Sequence, residues 1–98
     1  MEEPGKKFRL FIDTLATTLA AKNADYGDSA FTPPPFAPNV SPEESVWVRL
    51  GDKVSRLETL LKRDYTPRVA ESVDDTILDL AGYCAILWTM RHEDEHEL

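Results

Sequence analysis

The chain reads as an all-α domain of three helices around one proline-rich loop, assembled with copies of itself as a helical-bundle oligomer. Three observations lead there. Apolar residues recur at steps of three and four in three separate segments, no segment alternates with a period of two, and turn residues and prolines gather between the segments. A chain of 98 residues makes one domain, residues 1–98, whose core surface-to-volume scaling keeps marginal.

Phe8, Phe11, Ile12, Leu15 and Leu19 form one stripe, which predicts a first helix from about Lys6 to Lys22. The run NADYGDS then favours turns, and TPPPFAP forbids regular helix or central strand, so a loop is expected over 23–41. Ser41, Pro42 and Glu44 together carry a helix-start signature: a capping hydroxyl, a proline at the first helical position and an acid three residues after the cap. The second helix is expected over 42–63, with Val46, Leu50, Val54, Leu57 and Leu61 as its stripe, widened by Trp47 and Leu60. Pro67 disfavours helix at Thr66 and closes it.

The third helix, expected over 69–91, differs in kind. Apolar residues from Ile77 to Trp88 cover nearly its whole circumference, so it has to be surrounded, and two amphipathic neighbours cannot do that alone. Part of its surface is therefore expected to meet another subunit. Trp47 and Trp88 read as core or interface anchors, and the tail from 91 to 98 is charged.

A net charge of -7 argues against a role on double-stranded DNA, where affinity comes from neutralising phosphates. Any anionic ligand must meet a local basic cluster. Cys84 is the lone cysteine, so an intrachain disulfide or a cysteine-based zinc site is excluded, and a reducing compartment fits best. No segment has the length and composition of a signal peptide or a membrane span. The expectation is a cytoplasmic protein of a bacterial host cell, with no membrane partner.

Several charges fall where charges are avoided. Lys53 projects between Leu57 and Leu60 inside the stripe of the second helix, which predicts partial burial. Arg49 and Arg56 lie along one flank of that helix, with Asp52 beside them. On the third helix Glu71, Asp75 and Asp79 form an acidic row, with Gly82 on the same side, and Asp79 sits inside the apolar section. Two readings stand side by side. Either the rows pair and fix helix register, or they converge on a cavity where the bases meet phosphate and the acids hold a divalent metal or polar ligand groups. In the loop, Lys22, Asp25, Tyr26, Gly27 and Ser29 offer an ammonium, a ring and backbone amides to a nucleotide, although a turn needs only the glycine and the aspartate. His92 and His96 read as solvated, and there is no Walker-type loop and no Ser-His-Asp or Cys-His arrangement.

The runs KNADYGDSAF, RLGDKVSRLETL and ESVDDTILDLAGYCAIL together resemble the nucleotide-modification-associated domain of phage and prophage proteins. Its pattern is a K-x-x-D-Y-G loop, an R-x-x-D-K-x-x-R helix and an E-S-x-x-D-T-x-x-D-L-A-x-Y helix, and the likeness spans Lys22 to Leu87. By position it implies functional roles for Lys22, Asp25, Tyr26, Gly27, Arg49, Asp52, Lys53, Arg56, Glu71, Asp75 and Asp79. It implies binding or metabolism of nucleotides in a phage setting without fixing a reaction.

A more distant resemblance is to the MazG-like all-α nucleoside-triphosphate pyrophosphatases, whose magnesium is held by an E-x-x-E pair and an E-x-x-D pair. Glu71 and Asp74 supply the second pair; where the first is expected stand Arg49, Asp52, Lys53 and Arg56. Exchanging acids for bases removes metal ligands and adds phosphate ligands. The leading expectation is therefore capture of a phosphorylated nucleotide or nucleotide-derived signal, with magnesium the one cofactor that the residues leave open. The alternatives are a magnesium-dependent pyrophosphatase using Glu71, Asp74, Asp75 and Asp79, and a purely structural oligomer or partner-binding module.

Overall fold

The computed structural model of the chain describes residues 4–26, 29–62, 64–66 and 73–92, with Asp25 and Tyr26 described by backbone alone. Helix α1 spans Pro4–Tyr26, a 3-10 turn spans Ser29–Phe31, α2 spans Pro42–Leu60 and α3 spans Val73–Arg91. No strand occurs among the described residues. The architecture is all-α with three helices.

The start of α2 follows the sequence signature. The Glu44 amide donates to Ser41 Oγ and the Ser41 amide donates to Glu44 Oε1, each at 3.1 Å, so two backbone donors at the helix start are satisfied reciprocally. Ser41→Ala is expected to cost about 1 kcal/mol of stability in urea unfolding. An unchanged midpoint would mean that the box is dispensable.

Two boundaries differ from expectation, and a third falls outside the described residues. The first helix does not stop at Lys22 but continues through Tyr26, which shortens the predicted 23–41 loop, and residues 29–31 add a turn of 3-10 helix within it. Asn and Asp each cost a helix only about 0.7 kcal/mol relative to Ala, too little to end one without a glycine or proline. The second helix ends at Leu60, not at 63. Leu61 caps it in the right-handed region, with its amide donating to the Leu57 carbonyl and the next amide, of Lys62, donating to the Thr59 carbonyl. In the third helix, 69–72 of the expected 69–91 lie outside the described residues, and the observed element starts at Val73.

Helices α2 and α3 pack as an antiparallel hairpin: Arg91 at the end of α3 meets Glu43 at the start of α2 at 3.4 Å, and Lys53 midway along α2 meets Asp79. α1 lies on one face of this hairpin. Its Leu19 and Leu15 come against Gly82, where an added Cβ would stand 3.2 Å from Leu19 Cδ2. The glycine lets the two helices approach closely.

The core within one chain is thin. Among the described residues Val46, Thr76 and Gly82 are buried, so only two side chains larger than hydrogen are, while Phe8, Ile12 and Leu61 are more than half exposed. Trp47 at 55% and Trp88 at 62% exposure are not core anchors of the single chain, and the Trp88 ring instead stacks on His92 with centroids 4.0 Å apart. Cys84, placed by sequence in an apolar run, is exposed. No helix among the described residues is long and apolar enough to cross a membrane.

Candidate functional site

A hollow of about 520 Å³ opens between α1, the 3-10 turn and the hairpin, within the size range of pockets for small organic ligands. Its position follows from the packing. α1 touches α3 where Gly82 permits it and diverges elsewhere, so a wedge of space remains beside the contact. Leu15, Leu19, Leu78 and Ile86 give the wedge an apolar lining, and Lys22, Arg49, Lys53 and Asp79 give it charge.

Asp79 is the hub of the polar part. Lys22 Nζ donates to Asp79 Oδ1 at 3.1 Å, and Lys53 Nζ lies 3.0 Å from Oδ2. Lys22 comes from α1 and Lys53 from α2, so one carboxylate on α3 ties all three helices together. Burial by itself raises the Asp79 carboxyl, but the hydrogen bonds from Lys53 and Lys22, reinforced by their charges, outweigh it and hold the carboxyl below its ordinary value. Arg49 also borders the hollow and makes no ion pair among the described residues. Among the described residues the lining of the hollow thus brings together three cationic side chains, Lys22, Arg49 and Lys53, and the Asp79 carboxylate, a local gathering of cations on an acidic protein.

Of the residues singled out in the sequence, Lys22, Arg49, Lys53 and Asp79 come together at the hollow. Lys53 is partly buried, with 21% of its side chain exposed, and one of the pairings considered, Lys53 with Asp79, is present. Asp52 and Arg56 do not line the hollow; Asp52 is exposed, and Arg56 is half-buried with its Nε inaccessible. Asp74 and Asp75 are exposed in the first turn of α3, away from the hollow. Gly27, Glu71 and the side chains of Asp25 and Tyr26 lie outside the described residues, as does His96. Among the described residues no three His, Cys, Asp or Glu side chains group as metal ligands.

Two rings at the hollow escaped the sequence reading. Phe31, from the 3-10 turn, and Tyr83, from α3, both line it. Tyr83 was counted with the apolar circumference of α3, and Phe31 followed a run read as plain turn. The one available signal was that Phe31 is the sole aromatic between Tyr26 and the prolines.

No family model, no curated protein and no solved structure matches the chain.

Proposed function

We propose that the chain binds a phosphorylated nucleotide or nucleotide-derived signal in this hollow, in the phage setting that the three sequence runs suggest, and that it sequesters the ligand without cleaving it. The observation that carries the reading is the gathering of three cationic side chains, from two helices, around a partly open hollow that apolar and uncharged polar residues also line. Arg49 and Lys53 on α2 and Lys22 on α1 suit phosphate oxygens. Phe31 and Tyr83 offer flat apolar surface to a base. Asp79 holds both lysines in place while no anion is bound. A cytoplasmic setting and a working unit of more than one copy belong to the same proposal.

Capture is favoured over magnesium-dependent hydrolysis by what surrounds Asp79. Both of its carboxylate oxygens face lysine ammonium groups, and Asp74 and Asp75 stand exposed elsewhere on α3. A carboxylate so engaged is a counter-ion for cations already present.

The test is thermal stabilisation of the metal-free protein by inorganic triphosphate, a nucleoside triphosphate and a cyclic dinucleotide. At least one of the nucleotides is expected to raise the melting temperature. Arg49→Ala and Lys53→Met are each expected to weaken its binding tenfold or more, about 1.4 kcal/mol per charged contact or above. The reading fails if no nucleotide in the panel shifts the transition, or if Arg49→Ala alters stability and leaves the ligand response intact.

A further inference from the structure

The hairpin has a second face, opposite the one that carries α1 and the hollow. At 100° per residue, Trp47, Gly51, Val54 and Leu61 fall within about 80° of one another on α2, roughly 130° round from Arg49 and Lys53. On α3, Ile77, Ala81, Cys84 and Trp88 fall within about 60°, on the side turned away from Gly82 and the hollow. Because the two helices run antiparallel, both strips lie on the same side of the hairpin. They make one apolar face, and in the single chain it is bare: Trp47 is 55% exposed, Val54 46%, Leu61 64%, Ile77 39% and Trp88 62%.

We infer that this face is the contact between two copies of the chain, which pack hairpin against hairpin as a four-helix layer about a two-fold axis. Area is the first argument. Those five side chains expose on the order of 500 Å² of mainly apolar surface, which supplies most of the roughly 800 Å² that each partner contributes to a stable interface. Gly51 is the second argument. A glycine inside a helix is unfavourable unless something comes close to it. In this chain nothing lies within 4 Å of where its Cβ would be. It sits mid-strip between Trp47 and Val54 and leaves a notch that an outside helix fills. Charge is the third. Glu58, on the α2 strip, and Arg91, beside the α3 strip, lie toward opposite ends of the face, so a two-fold axis across its middle turns each toward the other copy's opposite charge. This assignment stands apart from the ligand reading, because the hollow lies on the other side of the hairpin.

Sedimentation of the purified full chain tests it. The unmodified protein is expected at twice the mass of one chain at 100 micromolar and below. Gly51→Glu, which introduces a good helix former into open space and so keeps the fold, is expected to weaken self-association at least a hundredfold with helical circular dichroism unchanged. Phe36→Ser, fully exposed elsewhere, leaves the mass alone. A monomeric natural chain overturns the proposal, and so does an assembly that Gly51→Glu leaves intact. If Gly51→Glu disturbs folding, the natural chain still decides. Its Cys84 thiol, on the inferred face, is expected to react with a maleimide at least tenfold more slowly above the association midpoint than below it. A labelling rate independent of concentration overturns the inference.

Discussion

Asp79→Asn is expected to lower the stability of the ligand-free protein and to raise its affinity for triphosphate, two effects of opposite benefit from one substitution. The first follows from the pairs it breaks. Removing one partner of a buried ion pair costs about 3–5 kcal/mol, and an exposed pair is worth about 0–1. Asp79, with 22% of its side chain exposed, lies between those limits, with Lys53 similarly placed and Lys22 half exposed. A loss of about 2 kcal/mol is expected, or roughly 10 °C in melting temperature for a domain of this size.

The second effect follows from competition. While Asp79 is ionised it engages the two ammonium groups that a phosphate needs, so its neutral isostere removes one negative charge that competes with the anion for them. Triphosphate is expected to bind the variant at least tenfold more tightly and to restore much of the lost melting temperature. If Lys22, Lys53 and Asp79 serve only to lock the helices, the variant loses stability and gains no response to the anion.

The same carboxyl sets the acid limb of the stability profile. Its value in the folded protein lies below the ordinary one, so the stability it contributes is fully present above the unfolded value of about 3.9 and disappears as pH falls through the folded value. In urea unfolding at a series of pH values, the natural chain is expected to lose stability below about pH 4 more steeply than Asp79→Asn. Parallel acid limbs would show that Asp79 gains nothing from its lysines.

How much of this was visible in the residues can be read from particular positions. The three helices were legible because the spacing of apolar residues is a local property, and the start of α2 because the Ser41–Glu44 box is made within four residues. The partial burial of Lys53 was legible too, since projection onto one helix sets it among leucines. The junctions were less so. Whether a helix continues through Asn23 to Tyr26 depends on small propensities and on contacts made by another helix, such as that between Lys22 and Asp79. The partner of Lys22 is 57 residues away in sequence, and no spacing rule reaches that far. The sequence grouped Arg56, Asp52 and Asp75 with Arg49, Lys53 and Asp79 because they share rows on a helix, and Asp74 joined them by resemblance alone. The hollow selects from each row only the residues that the angle of α1 leaves facing open space.

That angle is set at Gly82, and substitutions there are expected to separate two consequences of side-chain size. Gly82→Ala adds one methyl 3.2 Å from Leu19 Cδ2, the far end of a flexible, incompletely buried side chain that has room to yield by a few tenths of an ångström. The helix gains up to about 1 kcal/mol in propensity, so the alanine variant is expected to be as stable as the natural chain or slightly more so. Gly82→Leu has no such escape. Its branch meets Leu19 and Leu15 together and forces α1 outward, at a cost of about 1–3 kcal/mol. α1 carries Lys22, so this displacement also draws that ammonium away from Asp79, and the added atoms fill part of the hollow. Urea unfolding and triphosphate titration of both variants read the two effects separately: the alanine variant keeps the anion response, and the leucine variant is expected to lose it at least tenfold. A leucine variant that binds triphosphate like the natural chain would place the anion site somewhere other than between α1 and the hairpin.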